Sequence, residues 1–255
     1  MKFIDTHTHI YLEQFDEDRT TVIEKAQQLS LEKLLVPDID SSHRPKMLEV
    51  CKQFNDYCLP MLGIHPTSVN DDYQNELSLL KKALEKENPI AIGECGLDYY
   101  WDKTFVEQQT KVFVEHLYLA QHYKLPLVIH SRKSLNDIIR LLKQFKNLNV
   151  SGVFHCFPGN LIEAEQVMNL GFFLGIGGVV TYKNSIMAEV VKNAPLDYLL
   201  LETDAPYLPP SPHRGKRNES SYIPIIAQKI AELKQITIDE VAEVTFKNAV
   251  SLFNL

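Results

Sequence analysis

Five histidines and three carboxylates in this sequence each follow a short apolar run. They are His7 and His9, His65, Glu94, His130, His155, and the pair Glu202 and Asp204. Imidazole and carboxylate side chains hold divalent cations, and a set without clustered cysteines suits Mg, Mn or Zn. The first pair is informative in its spacing. Residues i and i+2 of a strand point to one face, so His7 and His9 can aim at a single ion. One histidine at a strand end is ordinarily a hydrogen-bonded loop residue, but here five of nine histidines sit in such places. The donors outnumber what one ion needs. Two ions ~3.5–4 Å apart, sharing a carboxylate, are a known arrangement for hydrolysing phosphate esters and some amides. Glu94 falls between the histidine groups in chain order and is the expected bridge. Of the other histidines, His116 and His122 fall in a helical stretch and read as structural or surface residues, and His43 reads as a solvated loop residue.

Those donors need a scaffold that brings distant segments to one face. Eight apolar runs recur along the chain: 2–6, 34–38, 60–64, 90–94, 127–130, 150–154, 172–176 and 198–201. Runs this apolar suit strands buried on both faces of a parallel sheet. Amphipathic stretches lie between them. In 104–123, Phe105, Gln109, Val112, Phe113, His116, Leu117, Ala120 and Tyr123 fall at helical spacing, and Thr104 with Glu107 predicts a capping box. The last helix, 238–253, opens with the same signal in Thr237 and Glu240. The pattern predicts an α/β fold, one (β/α)8 TIM barrel over residues 1–255, a size such barrels typically have. An open doubly wound sheet is the alternative, but no glycine-rich phosphate loop follows the first run. In a barrel the C-terminal strand ends gather on one face, where the eight donors would converge.

Composition narrows the function classes. Hydrophobic residues make up 45% and charged residues 23% of 255, ordinary for a globular chain and unlike a disordered one. No apolar run approaches a membrane span, and residues 1–20 lack the apolar core of a secretory signal. Cys51, Cys58, Cys95 and Cys156 form no CxxC pair and read as reduced thiols of a cytoplasmic protein. The net charge of −7 argues against a grip on long duplex DNA. A nucleic-acid substrate would be held by few phosphates, with bound cations supplying the positive field.

Six motifs carry a resemblance. Asp5-Thr-His-Thr-His9, Gly63-Ile-His-Pro66, Gly93-Glu-Cys-Gly-Leu-Asp-Tyr99, His130-Ser-Arg132, His155-Cys-Phe157 and Leu201-Glu-Thr-Asp-Ala-Pro-Tyr-Leu208, with Arg214-Gly-Lys-Arg-Asn218 behind, resemble the TatD family of metal-dependent deoxyribonucleases. The likeness covers nearly the whole chain. It implies a metal-dependent TIM barrel of the amidohydrolase type, with two divalent ions per chain. His7, His9, Glu94 and Asp204 would hold one ion, and Glu94, His130 and His155 the second. His65 and Glu202 match family positions lining the site. Cys95 stands where the family has an aliphatic residue, and a buried thiol packs much like one.

The expected reaction is hydrolysis of DNA phosphodiester bonds by a metal-activated water, as a 3′-5′ exonuclease on single strands. Glu202, two residues before Asp204, would share its face and orient or deprotonate the water. His65 would bind a phosphate oxygen or protonate the leaving group. Arg132 and Arg214, with Lys216 and Arg217, offer cations at the rim. Of Tyr99, Tyr100 and Trp101, two are expected to pack beneath the loop and one to meet a base. The alternatives are an amide or ester hydrolase on the same barrel, aminoacyl-tRNA deacylation included, and last a metal-binding scaffold without activity. A monomer is expected, since no dimerisation element is evident.

Overall fold

The apolar runs do form strands, and their polar ends turn out of the sheet together. The computed structural model describes residues 1–255. Its strands are β1 (Phe3–Asp5), β2 (Leu31–Pro37), β3 (Cys58–Met61), β4 (Ile92–Asp98), β5 (Leu127–Arg132), β6 (Gly152–Phe154), β7 (Phe172–Ile176) and β8 (Leu199–Leu201). Helices alternate with them: α1 (Arg19–Gln28), α2 (Arg44–Gln53), α3 (Tyr73–Leu84), α4 (Val106–Tyr123), α5 (Leu135–Gln144), α6 (Leu161–Asn169) and α7 (Met187–Asn193), then α8 (Ile223–Lys234) and α9 (Ile238–Phe253) after the last strand.

Every ladder is parallel, β1-β2-β3 in one run and β4 through β8 in another. Two seams join the runs into a ring. Between β3 and β4, Leu62 N–H donates to the Ala91 carbonyl at 3.1 Å and Gly93 N–H to that of Leu62 at 2.8 Å. Between β8 and β1, Thr6 N–H donates to the Leu201 carbonyl at 3.0 Å, Asp204 N–H to that of His7 at 2.9 Å and His9 N–H to that of Ala205 at 2.8 Å. Thr8 pairs with Ala205 across the same seam. The expected barrel is therefore closed by hydrogen bonds all round, which leaves no edge strand to pair elsewhere.

Ile4, Leu35, Met61, Ala91, Val128, Val153 and Leu200 fill the ring from seven strands or their approaches and meet Ala249 and Phe253 of α9. Truncating one of these, such as Leu200→Ala, would cost about 2–5 kcal/mol. A larger apolar cluster lies between ring and helices and includes the buried Cys95, whose thiol faces the Val128 carbonyl at 3.5 Å.

The capping signals divide. Thr237 and Glu240 form their box, with Glu240 N–H on Thr237 Oγ1 at 3.2 Å. Thr104 and Glu107 do not: α4 starts at Val106, and Thr104 N–H is taken by Asp102 Oδ1 at 2.8 Å. That side chain satisfies the donor locally and delays the helix. No helix is long and apolar enough to cross a membrane.

Candidate active site

The strand ends deliver the donor atoms to one point because Glu94 stands at the centre with its two oxygens turned apart. Oε2 faces His7 Nε2 at 3.2 Å and His9 Nε2 at 3.5 Å, and Asp204 Oδ1 lies 3.9 and 3.7 Å from the same two nitrogens. Oε1 faces His130 Nδ1 at 3.0 Å, His65 Nε2 at 3.4 Å and His155 Nε2 at 3.5 Å. His155 also stacks on His7 at 3.7 Å, so it stands between the two groups.

Both groups suit a cation. Ligands ~2.0–2.2 Å from a divalent ion lie roughly 3–3.5 Å from one another. The spacings above are of that size, and the Nε2 atoms of His7 and His9 approach to 3.3 Å. Two imidazole nitrogens that close suit an N–H···N hydrogen bond without a cation and a shared cation with one. Glu94 is held well below the usual carboxylate range: burial pushes its carboxyl up, and His65, His7 and His155 outweigh that. Asp204 moves the other way, to about 6, because burial outweighs His155 and His9.

The second nitrogens of His9, His65, His130 and His155 have partners of their own, which fix the tautomers, while that of His7, Nδ1, is buried without one. His130 Nε2 donates to Asp98 Oδ2 at 2.9 Å, so in the neutral ring the Nδ1 lone pair faces Glu94 Oε1 at 3.0 Å. His155 Nδ1 donates to Glu202 Oε1 at 3.1 Å, which leaves Nε2. His9 Nδ1 meets the Tyr11 hydroxyl at 3.4 Å. His65 differs. Its Nδ1 accepts the Thr67 backbone N–H at 3.2 Å and lies 2.6 Å from Thr67 Oγ1. A backbone amide can only donate, so in neutral His65 the proton sits on Nε2, and that atom is a donor where His130 and His155 present acceptors.

Glu202 is not where the spacing argument puts it. Its carboxylate is fully buried, bonded to His155 and to the Cys156 backbone N–H at 2.5 Å, and absent from the cavity wall. β8 ends at Leu201 and Asp204 is left-handed (φ 57°), so the alternation that would align 202 with 204 has already broken. Glu202 therefore reaches His155, not the space where a water would react.

The rim separates as well. Arg132 lines the cavity, while Arg214 lies over the Tyr182 ring at 4.5 Å and is not part of its wall. Arg217 forks onto Asp18 at 2.8 and 2.7 Å, and Lys216 is exposed. Tyr99 packs, its hydroxyl on Asp137 at 3.0 Å, but Tyr100 and Trp101 are both exposed, one more than expected. His43 is half-buried on Asp40 rather than solvated, at 2.7 Å. His116 is wholly buried: its Nδ1 donates to the Val112 carbonyl at 2.7 Å and its Nε2 accepts Ile64 N–H at 3.1 Å, which props the segment carrying His65.

Sequence reasoning missed the partners Asp98, Tyr11 and Thr67. It also missed Asp5, which accepts from His7 N–H at 3.2 Å and from Thr203 N–H at 2.9 Å, tying the His7 end of the ring to the Asp204 end. Their one sequence signal is a polar residue within five positions of a donor in an otherwise apolar segment.

The chain is similar to known proteins. The profile of the family described as TatD related DNase matches residues 4–254. The chain is 40% identical over 252 residues to a protein of Bacillus subtilis (strain 168) named "Uncharacterized metal-dependent hydrolase YabD", covering 98% of each. It is 34% identical over 248 residues to the "3'-5' ssDNA/RNA exonuclease TatD" of Erwinia tasmaniensis, covering 95% of this chain and 96% of that one. The crystal structure of the TatD homologue YJJV from Escherichia coli K12 superposes with a TM-score of 0.93 at 32% identity, over 99% of this chain and 98% of that one.

Proposed function

This chain belongs to the TatD related DNase family of metal-dependent hydrolases, and on that premise we propose that it removes nucleotides from the 3′ end of single-stranded DNA. The observation that carries the reading is the division of Glu94, one oxygen toward His7, His9 and Asp204 and the other toward His130 and His155. Together these residues would hold two divalent ions, one on each side of Glu94. Mg, Mn and Zn all accept these ligands.

When bound, such ions lower the pKa of a coordinated water toward about 7 and neutralise charge on phosphate oxygens. The side chains do the rest. Asp98 and Glu202 keep His130 and His155 in the tautomers that present lone pairs. His65, carrying its proton on Nε2, donates to a phosphate oxygen or to the departing oxygen. Arg132 binds the phosphate of the neighbouring nucleotide. A recessed site on a chain of net charge −7 favours a strand end over duplex interior. The name of the Erwinia tasmaniensis relative supports the same polarity and strandedness. The free cysteines suit a reducing, cytoplasmic setting, in which the protein acts as a monomer.

The test is single-stranded DNA labelled at its 3′ end, with metal-depleted protein given back Mg or Mn, and Glu94→Gln run beside it. Metal-dependent release of mononucleotides by the wild type alone is expected. Equal cutting of circular and linear strands would overturn the exonuclease reading, and no cutting of any strand would overturn the nuclease.

A further inference from the structure

The cavity above Glu94, about 540 Å³, has walls unlike its floor. Histidines and carboxylates make the floor. The walls are Ile39, Trp101, Tyr207 and Leu208, with Thr67 and one cation, Arg132. A groove built to track several phosphates is lined by several basic side chains. This one offers a single guanidinium and a large uncharged planar surface.

Trp101 follows β4 and Tyr207 follows β8. In a ring of eight strands these two lie opposite, so the rings stand on facing sides of the mouth. Trp101 is 68% exposed and Tyr207 49%, although both are large and apolar. Tyr207 meets His9 edge-on at 6.3 Å, on the side of the first donor group. Arg132, two residues beyond His130, lies on the other side. Its Cζ sits 4.0 Å over the Tyr100 ring and 5.2 Å over that of Trp101. The guanidinium has no hydrogen bond or ion pair within the chain. Two aromatic faces hold it in place with its N–H donors free.

We infer that the mouth is a nucleobase-binding subsite: Trp101 is the platform for the base beside the scissile phosphate, Tyr207 is the opposing wall, and Arg132 takes the adjoining phosphate. The inference rests on the phosphodiesterase reading above and deepens it. Stacking on an aromatic side chain is indifferent to base identity and worth roughly 5- to 150-fold in affinity per base. It requires an unpaired base whose faces are free, which selects single strands and frayed ends.

Trp101 is the only tryptophan of the chain, so its emission reports on the subsite directly. Metal-loaded wild-type protein is titrated with a dye-labelled phosphorothioate single strand that resists cleavage, and with an abasic strand of equal length. Binding is followed by anisotropy of the dye, stacking by tryptophan emission. The base-bearing strand is expected to bind and quench, and the abasic strand to bind about 5- to 150-fold more weakly and leave emission unchanged. A base-bearing strand that binds without quenching, or an abasic strand that quenches equally, overturns the subsite. Binding of neither strand brings down the nuclease reading, and the subsite with it. Turnover gives the second measurement. The ratio of kcat/KM for the p-nitrophenyl ester of thymidine 5′-phosphate to that for methyl p-nitrophenyl phosphate should fall 5- to 150-fold in Trp101→Ala and be largely kept in Trp101→Phe. An unchanged ratio in Trp101→Ala counts against the platform.

Discussion

Nδ1 of His155 lies 3.1 Å from Oε1 of Glu202, and that carboxylate is wholly buried behind the ring. A carboxylate in this position fixes the tautomer and makes the other ring nitrogen more basic. Burial pulls the His155 pKa down, but Glu202, Glu94 and Asp204 together push it up to about 10. The ring thus sits in a strongly negative field that suits an imidazole facing a cation.

Glu202→Gln should accordingly weaken metal affinity about 10- to 100-fold at the site His155 serves, with activity largely restored by excess metal. Metal titration by calorimetry beside kcat at saturating metal decides it. Full metal occupancy with turnover still lost would return Glu202 to a role on the attacking water.

His65 and His130 both approach Glu94 Oε1, yet their outer partners differ in kind. For His65→Asn, kcat is expected to fall about 10²- to 10⁴-fold, the usual contribution of a positioned proton donor, with metal content unchanged. His130→Asn should lose metal as well. Metal analysis of the two purified variants separates a donor from a ligand, and loss of an ion from His65→Asn would make it a ligand.

Beneath Glu94, Arg44 Nε donates to the buried Asp38 carboxylate at 2.6 Å, and the Asp38 carbonyl accepts Glu94 N–H at 3.3 Å. Burial pushes the Asp38 carboxyl up to about 7 against the pull of Arg44, and removing Arg44 leaves that group buried without its partner. Arg44→Met should cost about 3–5 kcal/mol in urea unfolding, and Arg44→Met with Asp38→Asn should cost clearly less. Equal losses in the two variants would mean the pair acts by packing alone.

Burial lowers the His116 pKa from 6.5 to about 4, so the folded ring is neutral where the unfolded one takes up a proton. Its contribution to stability is intact above about pH 6.5 and is lost as the pH falls toward 4, on the order of 3 kcal/mol in all. The slope of stability against pH over that window should flatten in His116→Gln. An unchanged slope would assign the acid sensitivity to other groups.

All eight strands were legible as apolar runs, and the donors as the polar residues ending them. Strand bounds were not, since β4 runs on through Asp98 under cover that only the fold provides. The i, i+2 rule placed His7 and His9 together and failed for Glu202 and Asp204, because a left-handed residue ends the alternation. Asp98 and His130 stand 32 positions apart and Arg217 and Asp18 stand 199 apart. No local pattern announces such pairs. Thr104 shows the converse: its capping signal was present, and a nearer aspartate outcompeted it.

The seam between β8 and β1 has a consequence for how the enzyme comes into being. His7 and Asp204 stand 197 positions apart (204 − 7), yet the His7 carbonyl bonds the Asp204 amide directly. Contacts this distant along the chain also form slowly. The two halves of the first donor group are therefore brought together only when the β8 end seats against β1.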